Sequence, residues 1–219
     1  MTCGYYQTQE PGGQMDTVFN LSCLEVRTLM RQDSTLAQLI QRVGSCAIQF
    51  RDNRFESLTH VIIGQQLSTR AAQSIYQRVQ ALCKDVSPEA ILSLTPAALK
   101  DAGLSRAKIQ SITGLSQAVL EGSLVLEELD SLADSHIIQE LSKIKGIGPW
   151  TAEMFLIFSM RRPNVLSFKD RGIQRSIAWL FDMPSCSKSL LQKCQEQWTP
   201  YNSVASFFLW SAIDQGLVG

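Results

Sequence analysis

The chain lacks an excess of charge of either sign, a long apolar run and a recognisable leader. Its 20 basic and 20 acidic residues cancel, so net charge alone gives no reason to expect a polyanionic partner. No stretch approaches the roughly 18 apolar residues of a membrane span, and we expect no membrane association. The opening MTCGYYQTQEPGGQM has no basic segment followed by an apolar one. We therefore expect no secretory signal, and we predict a loose tail over residues 1–14.

Paired cysteines are also absent. The six cysteines are scattered, and none belongs to a Cys-x-x-Cys pair. Several have the apolar neighbours that are typical of buried thiols. The sequence therefore predicts a reducing compartment, without disulfides and without a cysteine metal site.

Strand patterns are scarce, whereas helix signals recur along the chain. A Ser or Thr stands before four helical patterns, as N-caps do: Ser68, Ser87, Thr95 and Ser105. The helix after Ser68 is predicted to bury Ala72, Ile75, Val79 and Leu82. Gly103 and Gly122 follow helical patterns and are typical of helix ends. An all-α globular fold is predicted.

The charges that cancel over the whole chain are segregated along it. Residues 143–175 hold seven basic and two acidic side chains, which leaves 13 basic and 18 acidic ones elsewhere. This positive segment contains a Gly-Ile-Gly stretch, so an anion is a candidate ligand there. On charge alone, chance clustering is an equally good interpretation.

The stretch LSKIKGIGPWTAEMFLIFSM, residues 141–160, is typical of a helix, a tight hairpin and a second helix. Glycines at 146 and 148 allow backbone conformations closed to other residues, and Pro149 suits the first position of a helix. The N–H groups and dipole at such a helix start favour a phosphate oxygen. The candidate phosphate-binding residues are Lys145, Gly146, Ile147, Gly148 and Thr151. An ordinary αα-hairpin explains the local pattern equally well.

A carboxylate follows twenty residues after Trp150. Asp170 stands between two basic residues at the start of a predicted helix, where aspartate is a good N-cap. Asp170 lies in the stretch VLSFKDRGIQRSI. Three more stretches are considered together with it: the hairpin, LKDAGLSRAKIQSI and LAQLIQRVGSCAIQFRDNRFESLTHVIIGQQLSTRAAQSIYQRV. Together these motifs resemble the helix-hairpin-helix DNA glycosylases, specifically the 3-methyladenine DNA glycosylase II branch, over most of the chain.

The resemblance implies an all-α helix-hairpin-helix glycosylase fold with two helical subdomains and the active-site cleft between them. A single glycosylase domain is expected over residues 15–219. One subdomain is expected from about 15–50 plus 163–219. The other is expected from about 51–162 and would carry the hairpin at 137–160.

The resemblance also implies roles for two groups at the reaction centre. Asp170 matches the catalytic carboxylate, which stabilises positive charge growing on the deoxyribose. Trp150 and Trp210 match positions whose aromatic rings face the flipped base. Met154, one turn after Trp150, either lines the same pocket or simply packs. Trp179 and Trp198 are expected in the core.

A glycosylase that acts on duplex DNA must fill the gap that the flipped base leaves. By resemblance the GQQLS turn supplies this wedge, with Gln66 as the first candidate and Leu67 as the second. For Leu67 the alternative is a buried core leucine.

The chain departs from the family's pattern at two positions beside these motifs. Lys169 precedes Asp170, where many relatives have a second acidic residue, and Asn202 follows Tyr201, where an arginine is usual. These departures concern fine geometry and substrate range. No extra N-terminal β-domain is expected.

Two family features that would indicate other chemistry are missing. Bifunctional members carry a lysine nucleophile just after the hairpin, where this chain has Trp150. Members similar to endonuclease III hold an iron–sulfur cluster on four cysteines, but only Cys186 and Cys194 lie near the C-terminus here. The resemblance therefore implies no iron–sulfur cluster and no other metal cofactor, and it leaves open a monovalent cation held by hairpin carbonyls.

The resulting prediction is a monofunctional DNA glycosylase of base excision repair. It would flip alkylated purines of the 3-methyladenine and 7-methylguanine type out of double-stranded DNA and hydrolyse the N-glycosidic bond. Its partner would be damaged duplex DNA, bound by a monomer in the bacterial cytoplasm, at the nucleoid, or in a eukaryotic nucleus. The alternatives are a non-catalytic DNA-binding module and a bifunctional glycosylase with AP lyase activity that uses Lys169 or Lys145.

Overall fold

The chain divides into two compact units. The structure, a computed structural model, describes residues 7–9 and 15–218. The unit called here the terminal unit comprises Met1–Phe50 and Arg161–Gly219, and the central unit comprises Arg51–Met160. Most of the tail predicted for residues 1–14 lies outside the described residues, although Gln7–Gln9 pairs with a neighbouring strand.

Helices dominate the described residues, as predicted. The strands are β1 (Gln7–Gln9), β2 (Met15–Asn20) and β3 (Ser45–Gln49). The helices are α1 (Leu24–Gln32), α2 (Ser34–Val43), α3 (Arg54–Gly64), α4 (Thr69–Leu82), α5 (Pro88–Ser93), α6 (Pro96–Asp101), α7 (Arg106–Leu120), α8 (Asp134–Ser142), α9 (Pro149–Phe158), α10 (Arg171–Leu180), α11 (Lys188–Trp198) and α12 (Asn202–Asp214). A 3₁₀ helix spans Leu126–Ser131.

The four predicted N-caps are confirmed. In each case the side-chain oxygen of the Ser or Thr accepts a hydrogen bond from the backbone N–H three residues on. The predicted buried face of α4 needs a correction, because Tyr76 is buried between Ala72 and Val79 while Leu82 is 45% exposed. The spacing i, i+4, i+7 satisfies the helical period equally well, and Leu82 belongs to the last turn, beyond the packed face.

A small antiparallel sheet in the terminal unit was not predicted. Its order is β1-β2-β3, and Phe19 of β2 stands opposite Cys46 of β3. Both of these side chains are buried, and the Phe19 ring lies 5.2 Å from that of Phe207 on α12. The strands have three to six residues each, so their alternating pattern is too short to stand out against helical signals.

Trp198 anchors the core of the terminal unit, as predicted. Its side chain is fully buried, and its Nε1 donates to Asp33 Oδ2 at 2.8 Å. The other oxygen of that carboxylate caps α2 by accepting the N–H groups of Thr35 and Leu36. A buried carboxylate needs such a set of donors. Helix α12 is buried over most of its circumference and packs against α2, α10 and β3.

The central unit packs its helices around α3. Helix α3 contacts α4, α7 and α9, and α8 packs on α9. Helix α9 is apolar on almost every side and buries Phe155, Leu156 and Ile157. No helix in the described part of the chain has the length and apolar character needed to cross a membrane.

Four cysteines are buried as free thiols: Cys23, Cys46, Cys83 and Cys194. Burial raises the pKa of Cys46 and of Cys194 to about 12. The thiols of Cys46 and Cys194 are therefore protonated and pack as small apolar groups. Cys3 lies outside the described residues.

Candidate active site and DNA-contact site

Asp170 is the N-cap of α10, as its sequence context predicted. Its Oδ1 accepts a hydrogen bond from Ile173 N at 2.8 Å and another from Trp210 Nε1 at 3.1 Å. The residue is 9% exposed. Two donors from different helices therefore fix the orientation of one buried carboxylate.

Gly172 makes this arrangement sterically feasible. A Cβ at this position would lie 3.1 Å from Asp170 Oδ1, 3.2 Å from Ile213 Cδ1 and 3.4 Å from Trp210 Cδ1. The glycine lets the α12 side chains approach the start of α10 closely. Sequence reasoning did not assign it a role, although its place two residues after Asp170 was a usable signal.

The two departures from the family's pattern have clear structural settings. Lys169 is exposed, in contrast to the buried Asp170 beside it. Asn202 is fully buried at the first position of α12, and its Nδ2 donates to Asn164 Oδ1, Gln195 O and Thr199 Oγ1. These bonds hold the first turn of α12, the helix that carries Trp210.

The hairpin has its turn between Ser142, the last residue of α8, and Pro149, the first of α9. Gly146 has φ +88°, and a Cβ there would lie 1.9 Å from Ser111 Oγ. Gly148 differs, because its φ of −101° is open to any residue and a Cβ there would meet no atom within 4 Å. Of the two glycines that allow conformations closed to other residues, only Gly146 adopts one.

The predicted phosphate-binding residues occupy unequal positions. Lys145 and Gly146 are exposed, whereas the side chains of Ile147 and Thr151 are buried at 3% and 2% exposure. Only the backbone of Ile147 and Thr151 remains to contact a ligand. The first bond inside α9 runs from Ala152 N to Gly148 O, so the N–H groups before it face the helix start.

The GQQLS segment forms a turn between α3 and α4, as predicted. Gln66 is exposed and has φ +58°, in the left-handed region that costs a residue with a side chain about 1 kcal/mol. Leu67 is 40% exposed, which excludes the interpretation of Leu67 as a buried core residue. An exposed leucine beside a strained, exposed glutamine is an arrangement typical of function rather than packing.

Gln65 ties this turn to the hairpin. Its Nε2 donates to Gly146 O at 3.0 Å and to Thr151 Oγ1 at 2.9 Å. The partners are 81 and 86 residues away along the chain. Sequence reasoning singled out Gln66 and missed its neighbour, because no local pattern reveals so distant a pairing.

Helix α7 supports both sides of this connection. Lys108 Nζ donates to Ile63 O at 2.7 Å and so caps the end of α3 just before the turn. Burial lowers the pKa of Lys108. One helical turn later, Ser111 lies against Gly146. Neither residue was predicted from the sequence to have a role.

The aromatic candidates differ in burial. Trp150 and Trp210 are half-buried, whereas Met154 is 4% exposed. Trp150 and Met154 belong to α9 of the central unit. Trp210 belongs to α12 of the terminal unit, where it contacts Asp170.

Known proteins resemble this chain over most of its length. DNA-3-methyladenine glycosylase 1 of Schizosaccharomyces pombe is 30% identical over 190 residues, which cover 81% of this chain and 82% of that protein. The crystal structure of a DNA-3-methyladenine glycosidase from Bacillus halodurans superimposes with a TM-score of 0.78 at 38% identity, covering 91% of this chain and 94% of the other. The S. pombe 3-methyladenine DNA glycosylase in complex with abasic DNA gives a TM-score of 0.78 at 29% identity, with coverages of 87% and 96%.

The family profile described as HhH-GPD superfamily base excision DNA repair protein matches residues 59–200. The matched range contains the GQQLS turn, the hairpin and Asp170. The chain belongs to the HhH-GPD superfamily of base excision DNA repair proteins.

Proposed function

We propose that this protein is a monofunctional DNA glycosylase that extrudes alkylated purines of the 3-methyladenine and 7-methylguanine type from duplex DNA and hydrolyses their N-glycosidic bond. The observation that carries the proposal is the buried Asp170 carboxylate, held by Ile173 N and Trp210 Nε1. A protein that only bound phosphate would gain nothing from a fixed carboxylate amid basic residues. The names of the relatives, DNA-3-methyladenine glycosylases, support the substrate class.

The central unit supplies the groups that grip and open the duplex. Lys145 and the backbone N–H groups around Gly146 and Gly148 bind a phosphate at the start of α9, where the helix dipole favours an anion. Gln66, with Leu67 beside it, enters the base stack as the extruded nucleotide leaves. Extrusion costs roughly a few kcal/mol, which contacts of this kind offset.

Gln65 holds the wedge turn in register with the phosphate grip. Its two hydrogen bonds join the turn to the hairpin backbone and to Thr151. A phosphate seated at the hairpin therefore fixes where Gln66 meets the duplex. Such preorganisation lowers the entropic cost of reaching the extruded state.

Trp210 faces the extruded base, and Trp150 and Met154 are also assigned to base recognition. Electron-rich indole rings attract positively charged rings, and a 3-methylated or 7-methylated purine carries such a charge. Trp210 also donates a hydrogen bond to Asp170, so this bond fixes the indole ring relative to the catalytic carboxylate.

Asp170 stabilises the positive charge that develops on the deoxyribose while the glycosidic bond breaks. For opposite charges about 4 Å apart at an effective dielectric constant of about 20, the attraction is about 4 kcal/mol. The bonding electron pair leaves with the base, water adds to C1′ and its proton passes to solvent. Because an alkylated purine is already a good leaving group, this electrostatic help suffices.

The residue at position 150, in the first turn of α9, determines which products form. Trp150 stands where bifunctional relatives have a lysine, and an indole cannot form a Schiff base with the sugar. The product is therefore an intact strand with an abasic site. The relative solved in complex with abasic DNA is consistent with such a product.

A monovalent cation is compatible with the hairpin. Backbone carbonyls are suitable ligands for hard cations, and Ile144 O and Gly146 O each accept one hydrogen bond and retain a second lone pair. A cation held by carbonyls of the turn would add positive charge beside the bound phosphate.

The protein acts as a monomer on nucleoid or nuclear DNA. The test is a panel of duplexes that carry single 3-methyladenine, 7-methylguanine, hypoxanthine or ethenoadenine residues, assayed for free base and for strand cleavage. We expect release of an alkylated purine, uncleaved strands until alkali is added, and no adduct after borohydride treatment. Tight DNA binding without base release would indicate a non-catalytic module, and a trapped adduct would indicate a lyase.

A further inference from the structure

A groove outside the site described above runs along the exposed side of α10 in the terminal unit. Its volume is about 510 Å³. The lining residues that matter here are Arg171, Arg175, Trp179, Asp182, Met183 and Cys186. The loop after α10 forms one wall, because Met183 N bonds back to Ala178 O at 2.8 Å.

The rim of the groove near Asp170 is basic. Arg171 and Arg175 are exposed and lie one helical turn apart. Neither forms an ion pair with another residue in the described part of the chain. Asp182 is the acidic residue among those that line the groove, and it lies at the other end of α10.

Arg171 occupies an unfavourable position for a cation. It is the first residue of α10, where the helix dipole presents positive partial charge and favours an acidic side chain. Lys169 adds a further positive charge nearby. An arrangement that opposes the stability of the free protein is explained if an anion binds there.

Apolar side chains also line the groove. Trp179 is half-buried and lines the groove, so the prediction that it belongs to the core is wrong. Its spacing along α10 matches that of Arg171 and Arg175, which places all three on one helical stripe. Burial raises the pKa of the Cys186 thiol, so the sulfur is neutral and adds to the apolar surface.

We infer that this groove binds the sugar-phosphate backbone of the DNA strand next to the extruded nucleotide. The inference rests on the proposed function, which brings the sugar of that nucleotide to Asp170. Phosphates are covalently attached to the same sugar, so the strand passes within reach of Arg171, the residue after Asp170. Arg175, about 6 Å further along the helix, meets the strand beyond.

The chemistry of the groove suits this ligand better than a small molecule. A guanidinium binds phosphate oxygens through two parallel hydrogen bonds. A tryptophan face beside basic side chains is a common platform for sugars and bases of a nucleic-acid strand.

The test is the salt dependence of binding to undamaged duplex DNA. The variant Arg171→Gln/Arg175→Gln removes both charges and keeps side-chain length. Each lost phosphate contact reduces the slope of log K against log salt by about 0.9, so we expect a reduction of about 2 in the double variant. The single variant Arg175→Gln should lose about half of that.

Arg27→Gln/Arg31→Gln is the matched control. These arginines are also exposed, lie four residues apart on one helix of the terminal unit, and account for the same net charge. The control should keep the wild-type slope, which separates a local contact from a general loss of positive charge.

Thermal unfolding distinguishes a binding role from a structural one. We expect the melting temperature of the Arg171/Arg175 variant to be equal to or above that of the wild type, because a cation leaves the start of α10. A wild-type slope in this variant, or an equal loss in the control, overturns the inference. If the wild type releases no base but the slope still falls as expected, the groove stands as a DNA site and the proposed function fails alone.

Discussion

At the scale of single residues, two of the side chains assigned to function are distinctive: one is held in a fixed orientation, and the other lies on strained backbone. Asp170 caps a helix and accepts a tryptophan N–H, so its orientation is fixed before any substrate arrives. Gln66 adopts a left-handed backbone conformation, which costs free energy, although its side chain is exposed. Neither feature is explained by packing alone.

Gln66→Ala should weaken base release and affinity for lesion DNA and leave the melting temperature within about 1 °C of the wild type. The exposed side chain loses no packing, and an exposed surface substitution is usually worth less than about 0.5 kcal/mol. Single-turnover kinetics and thermal unfolding measure the two effects. A sharp fall in melting temperature with normal activity per folded molecule would show that Gln66 is structural.

His60 is expected to make the folded protein less stable as the pH falls. Burial, with a further contribution from the charge of Arg51, lowers its pKa to about 4. The unfolded chain, with an ordinary value near 6.5, binds a proton between pH 6.5 and 4 that the folded chain does not. Stability contributed by this residue is therefore present above pH 6.5 and is lost as pH falls towards 4.

His60→Gln removes this titration and keeps a neutral polar group. Urea unfolding at pH 7, 6, 5 and 4.5 should show a shallower acid-side loss in the variant, by at most about 1.4 kcal/mol per pH unit. Carboxylates that titrate in the same range affect both proteins equally. Parallel stability curves for the two proteins would contradict a half-buried histidine that stays neutral in the folded state.

At the scale of elements, the hairpin and the GQQLS turn act through backbone geometry. Gly146 and Gly148 look alike in sequence, but only Gly146 has positive φ and a neighbour where a Cβ would sit. Substitutions at these two positions therefore report on different properties. A substitution at Gly148 tests contact with the bound phosphate, whereas a substitution at Gly146 tests the stability of the hairpin turn.

Gly148→Ala should lower affinity for undamaged and lesion duplex by the same factor without loss of stability. The added methyl meets no atom of the protein, but it occupies space that a phosphate oxygen needs. Phosphate contacts carry no information about the base, so the two affinities fall together. A loss confined to lesion DNA would place the methyl at the base rather than at the phosphate.

Gly146→Ala is the contrasting variant. A methyl 1.9 Å from Ser111 Oγ on a residue with φ +88° forces the turn to shift. We expect a measurable fall in melting temperature together with the loss of binding. The pair of variants therefore separates steric exclusion of the ligand from distortion of the hairpin.

Gln65→Leu should impair extrusion more than it impairs binding. It keeps the side-chain size but removes the hydrogen bonds to Gly146 O and Thr151 Oγ1. Base release from a lesion in a matched pair should fall by about tenfold, as expected for the loss of one to two hydrogen bonds. The same lesion opposite a mismatched base, which is easier to extrude, should be spared.

Thr151→Val provides a second variant for the same connection. It removes one acceptor of Gln65 and leaves the hairpin backbone in place. Equal losses on matched and mismatched lesions in both variants would show that the link is purely structural. Release of the lesion from the mismatched pair at the wild-type rate is the outcome that supports a positioning role.

At the scale of the whole molecule, the local signals of the sequence were sufficient for the helices and insufficient for the connections. Helix N-caps such as Ser68 and Asp170 could be predicted because a cap depends on the next three residues. The bonds of Gln65 depend on partners more than 80 residues away, and the sheet depends on pairing between short strands. The half-buried position of Trp179 also depends on tertiary packing, which helical spacing alone does not specify.

The residues proposed to act on DNA are distributed over both units. In the proposed function, the hairpin and the GQQLS turn of the central unit bind phosphate and fill the base stack, while Asp170, Trp210 and the arginine-lined groove belong to the terminal unit. The zero net charge of the chain conceals a positive segment at 143–175 that includes the hairpin and both groove arginines.

The most direct test of the account is base release by Asp170→Asn under single-turnover conditions. Asparagine is an equally good N-cap, so the variant keeps the bond from Ile173 N and the fold while it removes the negative charge. We predict a rate at least about 100-fold lower, the effect of losing one preorganised electrostatic group. DNA affinity should be unchanged or higher, because repulsion between the carboxylate and phosphate is lost. A rate close to that of the wild type, in a variant with normal stability and DNA binding, would contradict the assignment of Asp170 as the catalytic residue.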